Sequence, residues 1–375
     1  MKWAWKIGRI AGIAVFMHAT FPLLLIWAGF SSYSSRHNWN DAWIGIAFVV
    51  VVFGIIVLHE LGHALTARRF GIKTRDITLL PIGGVARLER MPDEPREELL
   101  VALAGPAVNV VLAGIFFAVI VVSGHMAALA QTSVMGGSFL TNLMWANVFL
   151  AAFNLIPAFP MDGGRVLRAL LASHMNYVRA TNIAARTGQS LAFAFGLIGL
   201  FHNPFWVLLA VFVYAGASQE ARTVQLKSAL RGTLVSDVMI TNFRTLSPHQ
   251  ALSSAVEYLL SGYQHEFPIV DQGQLVGLLT RSALVAGLAQ RGVNAPVGDV
   301  MRHEYTTAAP AEPAEAVLTR LREGDVGAVP VTENGRILGM LTSENLGEYL
   351  AVRDALNGNF VRHHWSSDFE ERKAA

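Results

Sequence analysis

Over the first 220 positions apolar residues come in long runs, and after about 230 they do not. The N-terminal run, MKWAWKIGRIAGIAVFMHATFPLLLIWAGF, has a basic lead and then about 20 mostly apolar positions. That is enough to cross about 30 Å of hydrocarbon, and it predicts a first span over about 10–30. A second span is predicted over about 42–68, ending in HELGHALTARR. Between 71 and 97 the period changes. ITLLPIGGVARLE alternates about Gly83 and Gly84, which reads as a strand hairpin. Backbone of that kind beside a bilayer must be buried against protein or line a wet cavity. Its edge offers pairing to a partner strand.

Further runs predict spans over about 98–123, 138–157, 188–201 and 204–220, with an amphipathic stretch at 164–175. From about 232 the pattern is that of a soluble α/β unit, and it repeats. VSDVM at 235–239 returns as VGDVM at 297–301, EFPIV as AVPVT, and GLLT as GMLT, each 62 residues on. A constant offset marks two copies of one supersecondary unit. The predicted divisions are 1–225 for the membrane part, 232–289 and 294–356 for the copies, and 357–375 for a flexible polar tail.

Composition agrees with several spans plus a soluble part: 53% of the 375 residues are hydrophobic and 15% charged, against about 25% charged in globular chains. Lys and Arg gather in the N-terminal lead, in 68–97, in 164–187 and after 220. The alternate loops hold Arg36 and no other Lys or Arg. Positive residues stay inside. The expected fold is therefore a polytopic α-helical protein of the cell membrane, with about six transmembrane helices, cytoplasmic termini and a cytoplasmic α/β unit. A net charge of +2 argues against a nucleic-acid partner, and the lack of cysteine excludes disulfides and thiolate ligands.

Within this frame HELGH changes the picture. Residues four apart share a helix face, so His59 and His63 can put two imidazoles on one metal, with Glu60 as general base. A third ligand is needed. The candidate is Asp162 in NLIPAFPMDGGR, at the same cytoplasmic level. A carboxylate at a span centre costs about 2.5–3.5 kcal/mol and usually marks function. Pro157 and Pro160 break the helix before it, and Gly163 and Gly164 are read as a tight turn that aims Asp162 inward. Asn154, eight residues earlier, is a candidate to hydrogen-bond an extended substrate backbone. Asn109 reads as an interhelical hydrogen bonder, and His18 as packed or hydrogen-bonded. Arg165 and Arg168 read as interfacial anchors. Asp93, Glu94, Glu97 and Glu98 read as a solvated helix start.

HELGH on a span, then LLPIGG, LAGPAVN and NLIPAFPMDGG, resemble the site-2 protease family of intramembrane zinc metalloproteases over roughly residues 5–225. The branch they resemble includes the sporulation sigma-factor processing protease. The resemblance implies one zinc on His59, His63 and Asp162, catalysis by Glu60, and substrate held by Asn154 and by the Gly83–Gly84 stretch. It implies a membrane-protein substrate in the lipid bilayer, such as an anti-sigma factor, a membrane-tethered regulator or a remnant peptide. The 62-residue repeat resembles a pair of CBS motifs, a Bateman module. That implies sensing of ATP, ADP or AMP and a homodimer through the pair. Nucleotide-binding motifs of this kind carry an Asp three residues after the Thr of Gly-x-x-Thr. Here Thr280 and Thr342 are kept, but Ala283 and Asn345 stand at the Asp positions, so the second motif is the better candidate. The rival reading is a CBS-regulated transporter with His59, His63 and Asp162 as a cation site. It lacks the internal repeat of spans usual in transporters. A silent scaffold would not need Glu60.

Overall fold

The first apolar run does not form one helix. In the computed structural model, which describes residues 3–356 except 82, 93, 125–137, 263 and 324–326, the run opens as a hairpin. Strand β1 (Ala4–Ile10) pairs antiparallel with β2 (Ile13–His18). Ala11 (φ 52°) and Gly12 (φ 86°) turn between them, the left-handed pair that two-residue hairpin loops demand. Helix α1 (Phe21–Arg36) begins only after Thr20. The span expected at 10–30 is corrected accordingly. A count of apolar residues merges a strand with the helix after it, because it is blind to the turn at 11–12.

The helices that follow are α2 (Trp39–Arg69), α3 (Pro95–Val122), α4 (Phe139–Asn154), α5 (Asp162–Ala172), α6 (Tyr177–His202) and α7 (Pro204–Ala229). Among the described residues three of them, α2, α3 and α6, are long and apolar enough to cross a membrane, and α4 is apolar but shorter. The charge-free loop at 124–137 lies almost wholly outside the described residues, as do Asp93 and the tail 357–375.

Strands β3 (Thr74–Leu80) and β4 (Gly83–Leu88) form the hairpin expected there, and they join the N-terminal one in a sheet of order β1-β2-β3-β4. Strands β2 and β3 run parallel, with α1 and α2 between them in sequence. One face of α2, carrying Phe53, Val57 and Leu61, packs with Ile13, Val15, Ile77 and Leu79 of the sheet. Close packing of these side chains against the sheet sets the rotation of α2. At about 100° per residue, His59 and His63 then fall on the side away from the sheet, and Glu60 falls between the two faces. Strand β4 is left as a sheet edge.

Contacts divide the chain into two units, one up to Val224 and the other from Gln225. The second unit holds the repeat. Its first copy runs α8 (Val235–Val238), α9 (Leu252–Ser261), β5 (Phe267–Asp271), β6 (Gln274–Leu279) and α10 (Arg281–Arg291). Its second runs from a 3-10 turn at Val297–Asp299 through α11 (Ala314–Glu323), β7 (Ala328–Glu333), β8 (Arg336–Thr342) and α12 (Ser343–Leu356). The copies exchange backbone pairs reciprocally. Ile240 pairs with Met340, and at the positions 62 residues offset Arg302 pairs with Leu278. Sequence repetition is thus matched by a local twofold relation between the copies.

Candidate metal centre

His59 and His63 lie one turn apart on α2, and Asp162 is the first residue of α5. All three are buried. Asp162 Oδ2 lies 3.2 Å from His59 Nε2 and 3.1 Å from His63 Nε2, and the two nitrogens are 3.1 Å apart. Ligands 2.0–2.1 Å from a tetrahedral zinc are separated by about 3.3–3.4 Å, so this donor triangle is close to the size that zinc requires. The far side of each ring is engaged. His63 Nδ1 donates to the Val101 carbonyl at 2.7 Å, and His59 Nδ1 donates to Asn109 Oδ1. Both Nε2 atoms therefore present lone pairs to one point, the tautomer a metal ligand needs. A Cβ on Gly105 of α3 would stand 2.2 Å from His63 Nε2 and 2.6 Å from His59 Nε2. Glycine there leaves the ligand atoms their room. By size, chemistry and tautomer the three residues fit zinc.

The other expected residues fall in different places. Glu60 Oε2 accepts the Ala86 N–H of β4 at 3.0 Å. Gly83 (φ 140°) bends the chain into the strand, and a Cβ on Gly84 would come within 3.0 Å of Glu60 Cγ. Gly84 thus allows β4 to run against the Glu60 side chain, while Gly83 serves the backbone conformation at the start of the strand. Gly163 and Gly164 are not the turn expected of them. They lie in the first turn of α5, where Cβ atoms would strike the Ile156 carbonyl oxygen at 2.2 Å and the Phe159 nitrogen at 2.5 Å. Their smallness lets α5 start against the backbone of NLIPAF. Asn154 closes α4, partly buried, and no described residue hydrogen-bonds its side chain. His18 Nδ1 meets Thr20 Oγ1 at 2.7 Å.

Two further readings are corrected. Arg168 is no interfacial anchor and Glu98 no solvated residue. Both are fully buried, with Arg168 Nε donating to Glu98 Oε1 at 2.7 Å and Nη1 to Glu220 Oε1 at 2.7 Å. Sequence reasoning also passed over Asn147, buried on α4, whose Oδ1 accepts from Asn109 Nδ2 at 3.1 Å. An asparagine amid the apolar run LMWANVFL was the available signal.

In the second unit a cleft of about 710 Å³ is lined by Arg244, Tyr258 and Glu266 of the first copy and by Thr342 and Asn345 of the second. Burial pushes the Glu266 carboxyl above its usual range. Asn345 Oδ1 is buried without a hydrogen-bond partner among the described residues. Thr280 is not among the lining residues. It is buried at the start of α10, where its Oγ1 accepts the Ala283 N–H at 3.1 Å.

Residues 47–134 and 125–195 match peptidase family M50, and residues 235–290 and 297–351 match the CBS domain. A zinc metalloprotease of Methanocaldococcus jannaschii is 35% identical over 281 residues, 74% of this chain and 78% of that protein. Rip3 of Mycobacterium tuberculosis, named as a candidate zinc metalloprotease, is 28% identical over 386 residues, 94% of each chain. A solved site-2 protease of M. jannaschii is 37% identical, with 59% of this chain and 96% of that one covered and a TM-score of 0.44.

Proposed function

The chain belongs to peptidase family M50, the site-2 proteases, and is a zinc metalloendopeptidase of the membrane with a CBS pair; from that premise we propose that it cleaves membrane-embedded proteins at the centre formed by His59, His63, Asp162 and Glu60. The observation that carries this is the convergence of His59 Nε2, His63 Nε2 and Asp162 Oδ2 within 3.2 Å of one another, one residue from the Glu60 carboxylate on α2. His59, His63 and Asp162 hold the metal. Bound zinc supplies Lewis acidity, bringing the pKa of water toward about 7 and polarising a carbonyl.

Glu60 accepts the proton of the attacking water and returns it to the leaving amine. A helical segment hides its carbonyls in its own hydrogen bonds, so the substrate must be extended at the scissile bond. The edge of β4 is the surface proposed to receive it, as an added strand. Gly84 lets that edge approach Glu60, and the Gly83–Gly84 stretch and the Asn154 amide are proposed to hold the same extended backbone. A substrate strand that accepts the Ala86 N–H also releases Glu60 from it.

The topology proposed is six spans, α1 to α4 with α6 and α7, with both termini cytoplasmic as the basic loops indicate. The substrates proposed are an anti-sigma factor, a membrane-tethered regulator or a remnant peptide. The CBS pair is proposed to bind adenine nucleotide in its cleft, through Thr342 and Asn345 rather than Thr280, and to form a homodimer.

The test is cleavage of a tagged single-span substrate by purified wild type and Glu60→Gln. Loss of the acid–base group should cost about 10²–10⁴-fold in rate, with zinc content unchanged. Equal cleavage by both proteins would end the proposal.

A further inference from the structure

The two histidines of the metal centre are held in their tautomers by different means. His63 Nδ1 donates straight to a backbone carbonyl, that of Val101, which can only accept. His59 Nδ1 meets a side-chain amide, Asn109 Oδ1. An amide can turn over. If Asn109 presented its NH₂ instead, His59 Nδ1 would have to accept, and the ring proton would sit on Nε2, where a metal could not bind.

What prevents this lies on a third helix. Asn109 Nδ2 donates to Asn147 Oδ1 at 3.1 Å, and Asn147 Nδ2 donates to the Leu143 carbonyl at 2.9 Å. The Leu143 carbonyl cannot donate. It therefore requires the NH₂ of Asn147, which leaves Asn147 Oδ1 facing Asn109. Asn109 must then give its NH₂ to Asn147 and its oxygen to His59. Each link admits one direction, and the direction is set at the α4 backbone. Asn109 and Asn147 are both 0% exposed, so water cannot supply a substitute partner.

We propose that Asn147 is a positioning residue for the metal centre: through Asn109 it fixes His59 in the tautomer whose Nε2 binds the metal. Asn147 is not hydrogen-bonded to any of His59, His63 and Asp162. Its effect is on metal affinity rather than on a bond to metal or substrate. The inference rests on the zinc-ligand assignment proposed above.

A pair of near-isosteric variants separates the relay from packing. In Asn147→Thr the hydroxyl can donate to the carbonyl four residues back, a habit of Ser and Thr in helices, and accept from Asn109. In Asn147→Val it can do neither, at nearly the same volume. Zinc affinity of the full chain in detergent is read by chelator competition. Outer partners of metal-bound histidines are worth about 10–100-fold in affinity. Asn147→Val should therefore bind zinc about 10–100-fold more weakly than Asn147→Thr, which should lie nearer wild type. Equal affinities for the two variants would overturn the proposal.

A second measurement needs no variant. In metal-free wild type, ¹⁵N spectra of the His59 ring should show a proton on Nδ1, and a ring protonated on Nε2 with Nδ1 bare would overturn the proposal. This arm reads the tautomer directly, so it decides even if zinc should prove to be held elsewhere. In that case wild type would show no tight zinc binding that His59→Ala weakens.

Discussion

Helix α5 begins in one buried polar cluster and runs through another, and the two are built on opposite principles. At its start Asp162 faces His59 and His63, three electron-pair donors turned toward each other with the ring protons committed elsewhere. Six residues on, Arg168 lies between Glu98 of α3 and Glu220 of α7, with its guanidinium carbon 4.9 Å from the Phe159 ring centre and 5.0 Å from that of Tyr177. In the second cluster charge is answered by opposite charge and by ring faces. In the first the donors can be satisfied together only by a cation. Burial of polar groups in a membrane unit is thus no sign of chemistry by itself. The balance of donors and acceptors tells the two apart.

The contrast can be broken most directly by removing one member from each cluster. Asp162→Ala should leave under about 0.1 zinc per chain, by elemental analysis, because two histidines rarely suffice for catalytic zinc. Cleavage should fall to the level of Glu60→Gln. The thermal midpoint of the metal-free protein should fall less than it does for Arg168→Met, since without metal Asp162 meets only the two imidazoles and no permanent charge. Arg168→Met should do the reverse. It strands Glu98, at a cost of about 3–5 kcal/mol, yet the folded fraction should still bind one zinc. Adding Glu98→Gln should recover part of that loss, because replacing both charges removes the stranded one. Asp162→Ala destabilising the metal-free protein as much as Arg168→Met, with zinc retained, would erase the distinction.

The sequence made the first cluster legible and hid the second, for a physical reason. HELGH and the Asp162 segment are local patterns, and their shared depth follows from loop charge. The partnership of Arg168 with Glu98 joins residues 70 positions apart, and neither sits in a pattern. An Arg in a short amphipathic helix looks like a snorkelling residue until tertiary packing covers it. Asn147 was hidden likewise, since its role depends on Asn109 across a helix interface. The N-terminal hairpin was lost for another reason. Apolar content measures whether a segment can be buried, not whether it is coiled or extended, and only Ala11–Gly12 marked the turn. In the second unit the fixed 62-residue offset was enough to find both copies.

A smaller effect should sharpen the boundary between holding metal and using it. Gly84→Val places a branched side chain where a Cβ already meets Ile56 Cγ2 at 2.7 Å and Glu60 Cγ at 3.0 Å. Strand β4 must move off α2, and the Ala86 N–H moves with it. A displacement of about 1 Å near reacting groups can cost about 10²-fold. The expected outcome is kcat/KM reduced about 10–100-fold at unchanged zinc content and affinity. Unaltered cleavage kinetics would mean that the β4 edge does not serve Glu60, and the proposed docking of substrate as an added strand would lose its support.

The smallest effect concerns two threonines at equivalent places in the repeat. Thr280 Oγ1 accepts the Ala283 N–H and Thr342 Oγ1 accepts the Asn345 N–H, each at 3.1 Å and each at the start of a helix. Replacing either by Val removes a helix cap, at about 0.5–2 kcal/mol, so both variants should lower the midpoint of the second unit by a similar amount. They should differ in ligand response, since Thr342 lines the cleft with Asn345 and Thr280 does not. Thermal shift of the full chain with millimolar ATP, ADP or AMP reads this. Wild type and Thr280→Val should be stabilised by the same nucleotide increment, and Thr342→Val by less, with affinity weakened about tenfold if one hydrogen bond of about 1.4 kcal/mol is lost. If no nucleotide shifts even wild type, the sensing role fails. If Thr280→Val and Thr342→Val respond alike, the cleft does not distinguish the two copies, and the departures at Ala283 and Asn345 carry no functional asymmetry.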